Sequence, residues 1–228
     1  MGEFAHAAGL PVDPLAAVGH HRRMDEERAG LEQQIRGHCD AGRWGPAATV
    51  ALRGYGPEVL GYLCAMCRSE TDAAEAFSGF CEDLWKGLPG FRWQSTFRTW
   101  AYTVARHALY RLARDPQRRR ERNVALSESP EVLELAEQVR TTTMIHLRTE
   151  TKNKFTALRE QLEPDDRTLL ILRVDRKLAW SEIAVIMADA ADPTPEQIKR
   201  GAATLRKRFE RAKERLRKLA TEQRLISG

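Results

Sequence analysis

The sequence predicts an all-α fold in which two helical domains are joined by a linker. Strand signals are nearly absent: there are no alternating Val, Ile or Thr runs and no Asn-Gly or Asp-Gly hairpin turn. Apolar residues recur instead at helical spacing, most clearly Phe97, Trp100, Ala101, Val104, Ala105, Ala108 and Leu112. Basic charge falls in two separated blocks. Residues 1–97 carry 9 basic and 13 acidic groups and residues 98–122 carry 8 and 2; residues 123–192 carry 9 and 13, and residues 193–228 carry 11 and 4.

The elements follow in order. Residues 1–23 mix Pro, Gly, His and Ala and are expected to form a disordered extension. Helices are expected over Met24 to His38, Pro46 to Arg68 with a bend near Gly54, Gly56 and Pro57, and Thr71 to Lys86. Gly87, Pro89 and Gly90 end the third helix and open a loop, Phe91-Arg92-Trp93-Gln94-Ser95-Thr96. The fourth helix runs from Phe97 to about Arg114, where Asp115-Pro116 breaks it. Residues 123–148 are polar around Ser127, Ser129 and Pro130 and read as a linker with a short helix from Glu131 to Arg140. The second domain, residues 149–228, has a helix starting near Trp180 with Ser181 as its cap. A long basic helix then starts at Thr194-Pro195-Glu196-Gln197, a capping-box pattern with Pro at the first helical position.

Length and composition narrow the function. The 228 residues suffice for one or two packed domains, and 42% hydrophobic with 30% charged residues is ordinary for a folded protein in water. No apolar run approaches the roughly 20 residues that span a bilayer, and the first residues lack the pattern of a secretion signal. A cytoplasmic protein without membrane contact is expected. Cys39, Cys64, Cys67 and Cys81 are too few for a disulfide framework. Cys64-Ala65-Met66-Cys67 has metal-like spacing but no second paired ligand motif, so it reads as helix packing, with no metal or cofactor expected. No phosphate loop, nucleophile elbow or paired acid and base is present, so an enzyme is not expected.

Two basic blocks on helices are the footprint of a polyanion held at two places. Nine of the 16 aromatic residues lie between Phe77 and Tyr110, beside the first block. Along the fourth helix Arg98, Tyr102, Arg106, Tyr110 and Arg114 step by four as a stripe of cations and rings. Rings stack on unpaired bases while cations neutralise phosphates, which suits single strands. Phe77, Phe80, Trp85, Phe97 and Trp100 have core spacing, whereas Phe91, Trp93, Tyr102 and Tyr110 are the better contact candidates. In the second domain, a short helix with Ile183, Ala184 and Ile186 precedes a helix rich in Arg and Lys, the layout of a helix-turn-helix that reads duplex.

The stretches Asp72-Ala73-Ala74-Glu75-Ala76-Phe77, Asp83-Leu84-Trp85, Leu88-Pro89-Gly90-Phe91-Arg92 and Ser95-Thr96-Phe97-Arg98-Thr99-Trp100-Ala101-Tyr102 resemble region two of extracytoplasmic-function sigma factors of bacterial RNA polymerase. Leu162-Glu163-Pro164-Asp165-Asp166-Arg167, Ser181-Glu182-Ile183-Ala184 and Thr204-Leu205-Arg206-Lys207-Arg208-Phe209 resemble their region four. The resemblance implies a region two domain over residues 24–122 and a region four domain over 149–228, with polymerase core and promoter DNA as partners. Glu75, Ser78, Glu82 and Asp83 would then face the core. The loop Phe91, Arg92, Trp93, Gln94, Ser95 and Thr96 would melt the minus-ten element and capture a flipped base, together with Arg98, Tyr102, Arg106, His107 and Tyr110. Lys199, Arg200, Thr204, Arg206, Lys207, Arg208 and Arg211 would read the minus-thirty-five element.

Three places depart from the family pattern. The core-binding helix has Ala74, Glu75, Ser78 and Gly79 where an acidic run is usual. Either Glu82 and Asp83 supply the contact, or phosphate added by a Ser/Thr kinase at Ser69, Thr71 or Ser78 restores negative charge and gates core binding. His107 stands where Asn is usual, which implies an altered base preference. The Ala188 to Thr194 connection is longer than usual, so Lys199 and Arg200 also come within reach of DNA. Two other readings remain open: a helix-turn-helix regulator that does not bind polymerase, and a helical, anti-sigma-like adaptor whose basic faces bind acidic proteins. An anti-sigma factor is a further candidate partner.

Overall fold

The computed structural model describes residues 14–114, 130–149, 154–190, 192–223 and 225, and the described residues contain helices and no strand. Helix α1 (Pro14–Asp40) begins inside the segment expected to be disordered, whose residues 1–13 lie outside the described residues. Helix α2 (Trp44–Met66) is one continuous helix with Pro57 inside it. Gly54 lets α1 close on α2, since a Cβ there would sit 2.2 Å from a Leu31 methyl. Helix α3 (Glu70–Gly87) is capped by Ser69, whose hydroxyl accepts the Asp72 N–H at 3.0 Å, and a single 3₁₀ turn (Leu88–Gly90) leads into the loop. Helix α4 (Phe97–Arg114) has the bounds its apolar spacing predicts.

The linker expectation changes most. Residues 130–149 form helix α5 (Pro130–Thr149), whose Val132, Leu135, Ala136 and Val139 are buried in the core. These four recur at i, i+3, i+4 and i+7, and Pro130 opens the helix at a position where its missing N–H costs nothing. Helix α5 lies along α2, where Gly56 leaves room for Val139 and the Cys64 thiol meets the Met144 sulfur at 3.5 Å. The basic cluster Arg118, Arg119, Arg120 and Arg122 and the serines at 127 and 129 lie outside the described residues.

The second half comprises α6 (Lys154–Arg159), α7 (Pro164–Leu170), α8 (Trp180–Ile186) and α9 (Pro195–Glu222). Helix α7 runs into a π turn over Ile171–Asp175, and Lys177, at φ 55°, reverses the chain into α8. Ser181 does not cap α8. It lies within the helix, and the Glu182 carboxylate instead accepts the Ala179 N–H at 2.7 Å. The capping box at Thr194 is formed as expected: its hydroxyl accepts the Gln197 N–H at 3.3 Å, and the Gln197 carbonyl accepts the Thr194 N–H at 2.7 Å.

One apolar core runs through both halves, from Ile35 on α1 to Ala212 on α9. Arg167 of α7 is buried and donates to the Met66 carbonyl at 2.9 Å, so a cation caps the negative C-terminal end of α2. The halves are therefore docked on each other. As a check on α5, Leu135→Ala is expected to lower stability by about 2–3 kcal/mol in urea denaturation. An unchanged midpoint would return residues 130–149 to the status of a linker.

Candidate nucleic-acid interface

The loop before α4 is an aromatic knot. Phe91 stacks on Trp100 with ring centroids 4.7 Å apart and lies 4.8 Å from Trp93, while Phe97 packs edge-on against both Phe91 and Trp100. Trp93 adopts φ 58°, a left-handed conformation uncommon for a bulky residue. Arg92, Gln94 and Thr96 are exposed, whereas Phe91, Trp93, Ser95 and Trp100 are half-buried. Gly90, Phe91, Arg92, Gln94, Ser95 and Trp100 form one wall of a cavity of about 350 Å³, and Asp192 and Pro193 of the α8–α9 connection with Ile198 of α9 form the other. The loop therefore combines stackable rings, a cation and hydrogen-bonding side chains around an opening.

The stripe on α4 does not face water. Steps of four residues advance 40° around a helix, so Arg98 and Tyr102 turn toward the core and only Arg114 reaches full exposure. Arg98 is 7% exposed and pairs with Glu58 of α2 through Nε and Nη2, and its Nη2 also donates to the Arg176 carbonyl at 2.9 Å. Tyr102 is 1% exposed, edge-on to Tyr62, with its hydroxyl donating to Glu58 at 2.9 Å. Burial and the adjacent Glu58 carboxylate push this phenol well above its ordinary pKa. The expectation of a surface Tyr102 is thus not met in this arrangement.

Other residues of α4, beside and along the stripe, meet the second half. Thr99 donates to Glu182 at 3.2 Å. Arg106, 8% exposed, reaches the Ile186 carbonyl and Asp165, both at a long 3.4 Å, and the Tyr110 hydroxyl donates to Asp165 at 2.5 Å. Asp165 also lies 3.4 Å from Arg208 of α9, and Asp166 accepts from Arg208 Nε at 2.5 Å. Burial alone raises the Asp165 pKa, but the Tyr110 hydrogen bond and the Arg106 and Arg208 charges outweigh it and hold the carboxyl below its ordinary value. His107 is exposed, and partial desolvation with the adjacent Arg106 holds its imidazole below its ordinary value.

On α9, Ala202, Leu205, Phe209 and Ala212 form the buried face. Arg200, Thr204, Lys207 and Arg211 fall on the opposite side, all exposed, as a ridge about 16 Å long at 1.5 Å per residue. Lys199 and Arg206 are also exposed, with the Arg206 guanidinium 5.8 Å from the Trp180 ring. Arg208 stands apart because its side chain is committed to Asp165 and Asp166.

The expected core-facing residues of α3 are all engaged within the chain. Glu75 is half-buried, Ser78 donates to the Ala74 carbonyl at 3.1 Å, Glu82 is 4% exposed with Lys86 at 3.9 Å, and Asp83 pairs with Arg111. Ser69 and Thr71 are exposed. Burial pushes the thiols of Cys64 and Cys67 up to about 11 and about 12, which keeps them neutral near pH 7. Among the described residues no His, Cys, Asp and Glu cluster could hold a metal, and no helix is long and apolar enough to cross a membrane. Glu32, Glu58, Asp165, Asp166 and Glu182 carry much of this network, yet sequence spacing gave no sign of it because the hydrogen bonds these carboxylates make to α4 and α9 span 40 or more positions.

Residues 51–120 match the family described as Sigma-70 region 2, a span covering most of α2, all of α3, the aromatic loop and all of α4. No curated protein matches the chain. Residues 51–120 thus form a domain similar to Sigma-70 region 2, the kind found in sigma factors that act with RNA polymerase in transcription initiation.

Proposed function

We propose that the chain is an initiation factor of the extracytoplasmic-function type, whose two halves read two promoter elements while bound to polymerase core. The observation that carries this reading is that two cationic surfaces of different character sit on opposite halves. One combines Arg92 with the rings of Phe91, Trp93 and Trp100 beside a cavity, which suits an unpaired base and its phosphates once the second half moves away. The other is the straight ridge Arg200, Thr204, Lys207 and Arg211, which suits the major groove. In this reading α8 and α9 act as the helix-turn-helix of region four, and the exposed face of α3 meets the polymerase. Ser69 and Thr71 are the hydroxyls a kinase reaches there, where added phosphate would supply the charge that Glu82 and Asp83 spend internally.

The described arrangement is closed toward single strands. Arg106 and Tyr110 are held by Asp165, and the α8–α9 connection walls the loop cavity. Binding of opened DNA along α4 therefore requires the second half to move away. The contact is suited to separation: Arg106 makes only long hydrogen bonds, and Nε of Arg106, Arg167 and Arg176 is buried without a protein acceptor. Such imperfectly paired buried cations offset much of the gain from apolar packing.

Three outcomes test this reading. The full-length Asp165→Asn, Asp166→Asn variant is expected to bind a labelled random-sequence single strand about tenfold more tightly than the parent by fluorescence anisotropy; equal binding would mean the acidic pair gates nothing. The Asp165 contribution to closure is fully present above the ordinary carboxyl value of 3.8 and is lost as pH falls through its lower folded value. Small-angle scattering of the free protein should accordingly show no expansion between about pH 5 and 8, a range that lies wholly above that value. Lys207→Ala should weaken duplex binding across sequences and reduce the salt slope by about 1, while an unchanged slope would remove Lys207 from the DNA face.

A further inference from the structure

The helix that precedes the matched region has a part in the aromatic loop. We propose that Glu32 and Arg36, one turn apart on α1, are positioning residues that set the base-capturing loop and the first turn of α4. This inference rests on reading the 91–96 loop as the single-strand grip.

Glu32 caps a helix 65 positions away. One carboxylate oxygen accepts the Phe97 N–H at 2.8 Å and the other accepts the Arg98 N–H at 3.0 Å. The Thr96 hydroxyl accepts the Thr99 N–H at 3.1 Å, so the first three N–H groups of α4 are all satisfied. The Glu32 oxygen on Arg98 also accepts the Tyr55 hydroxyl at 3.1 Å, and Tyr55 in turn stacks on Phe97, 5.8 Å between centroids. The carboxylate is thereby fixed from two directions. It also fills the positive end of α4, so a DNA phosphate has to be met by Arg92 or another side chain rather than by the helix terminus.

Arg36 acts on the same loop from the next turn. Its guanidinium lies 5.4 Å from the Trp93 ring centroid, on a residue whose backbone is held at φ 58°. Phe91 packs against the same indole at 4.8 Å. A bulky residue in the left-handed region stays there only when its surroundings hold it, and the rings of Phe91 and Phe97 and the Arg36 cation pack on its indole. Neither Glu32 nor Arg36 falls within residues 51–120, so this part of the loop geometry is supplied by α1.

The test uses the full chain bound to polymerase core and a random-sequence 12-nucleotide single strand as probe. Tryptophan is replaced by 5-fluorotryptophan, and the Trp93 ¹⁹F resonance is assigned through Trp93→Phe. Arg36→Ala is expected to shift that resonance and weaken probe binding about threefold, and Arg36→Lys to restore most of both. Glu32→Gln, which keeps one acceptor oxygen and places a donor against the other N–H, is expected to weaken probe binding about tenfold. Core affinity is expected to stay unchanged in all three. Unaltered probe binding and an unmoved Trp93 resonance in Arg36→Ala and Glu32→Gln would overturn the inference. An equal fall in core affinity would also overturn it, because that outcome marks a purely structural role. If the parent complex does not bind the probe at all, the reading of the loop as a single-strand grip fails, and the inference with it.

Discussion

Glu58 is the constraint on which the arrangement of α4 depends. A guanidinium as enclosed as that of Arg98 is tolerated only beside an ionised acceptor, and removing one partner of such a pair costs roughly 3–5 kcal/mol. Glu58 serves both Arg98 and Tyr102, which locks α4 to α2 in one register. With that register set, the adjacent Thr99 comes opposite Glu182, and the turns about two and three farther on bring Arg106 and Tyr110 opposite Asp165. The position of the second half therefore follows from a pair buried inside the first.

The same geometry gives one helix two roles. The inward side of α4 carries the apolar residues that build the core, while its borders carry cations that are satisfied by carboxylates and carbonyls of the protein. The polar contacts differ in quality along the helix. Those to Glu58 are short and largely enclosed, whereas those of Arg106 are long and leave one nitrogen unpaired. An interface graded in this way separates at its weaker end first, which is the end next to the acidic pair of α7. Those two carboxylates hold arginines of α4 and α9 at once, so the cationic helices of both halves are tied at one point.

Much of the fold was legible in local signals. The α4 bounds followed from its apolar spacing and the Asp115-Pro116 break, and the α9 start followed from Thr194, Pro195 and Gln197. Helix α5 was read only as a short helix from Glu131 to Arg140 inside a linker, although Val132, Leu135, Ala136 and Val139 have the spacing of a core-packed helix, because the polar residues before Pro130 dominated the reading. Ser181 was misassigned as a cap because a backbone N–H can equally be satisfied by a glutamate three residues on, as Glu182 does for Ala179. At the candidate site, the sequence named the loop and the cations as candidates but not the carboxylates they pair with. The stripe of four-residue steps suggested one outward face, yet its drift around the helix buries Arg98 and Tyr102 while leaving Arg114 exposed. The carboxylates that decide this lie far away in sequence and leave no local pattern.

The central claim is that the two halves act together on polymerase to start transcription at defined sites. Transcription in vitro with purified bacterial core polymerase and a fragmented genomic template, with every start site sequenced, tests it most directly. The account predicts starts confined to a set of sites sharing two elements at fixed spacing, abolished when the chain is omitted. Retention of the chain by duplex DNA with no association with core and no new start sites would contradict it.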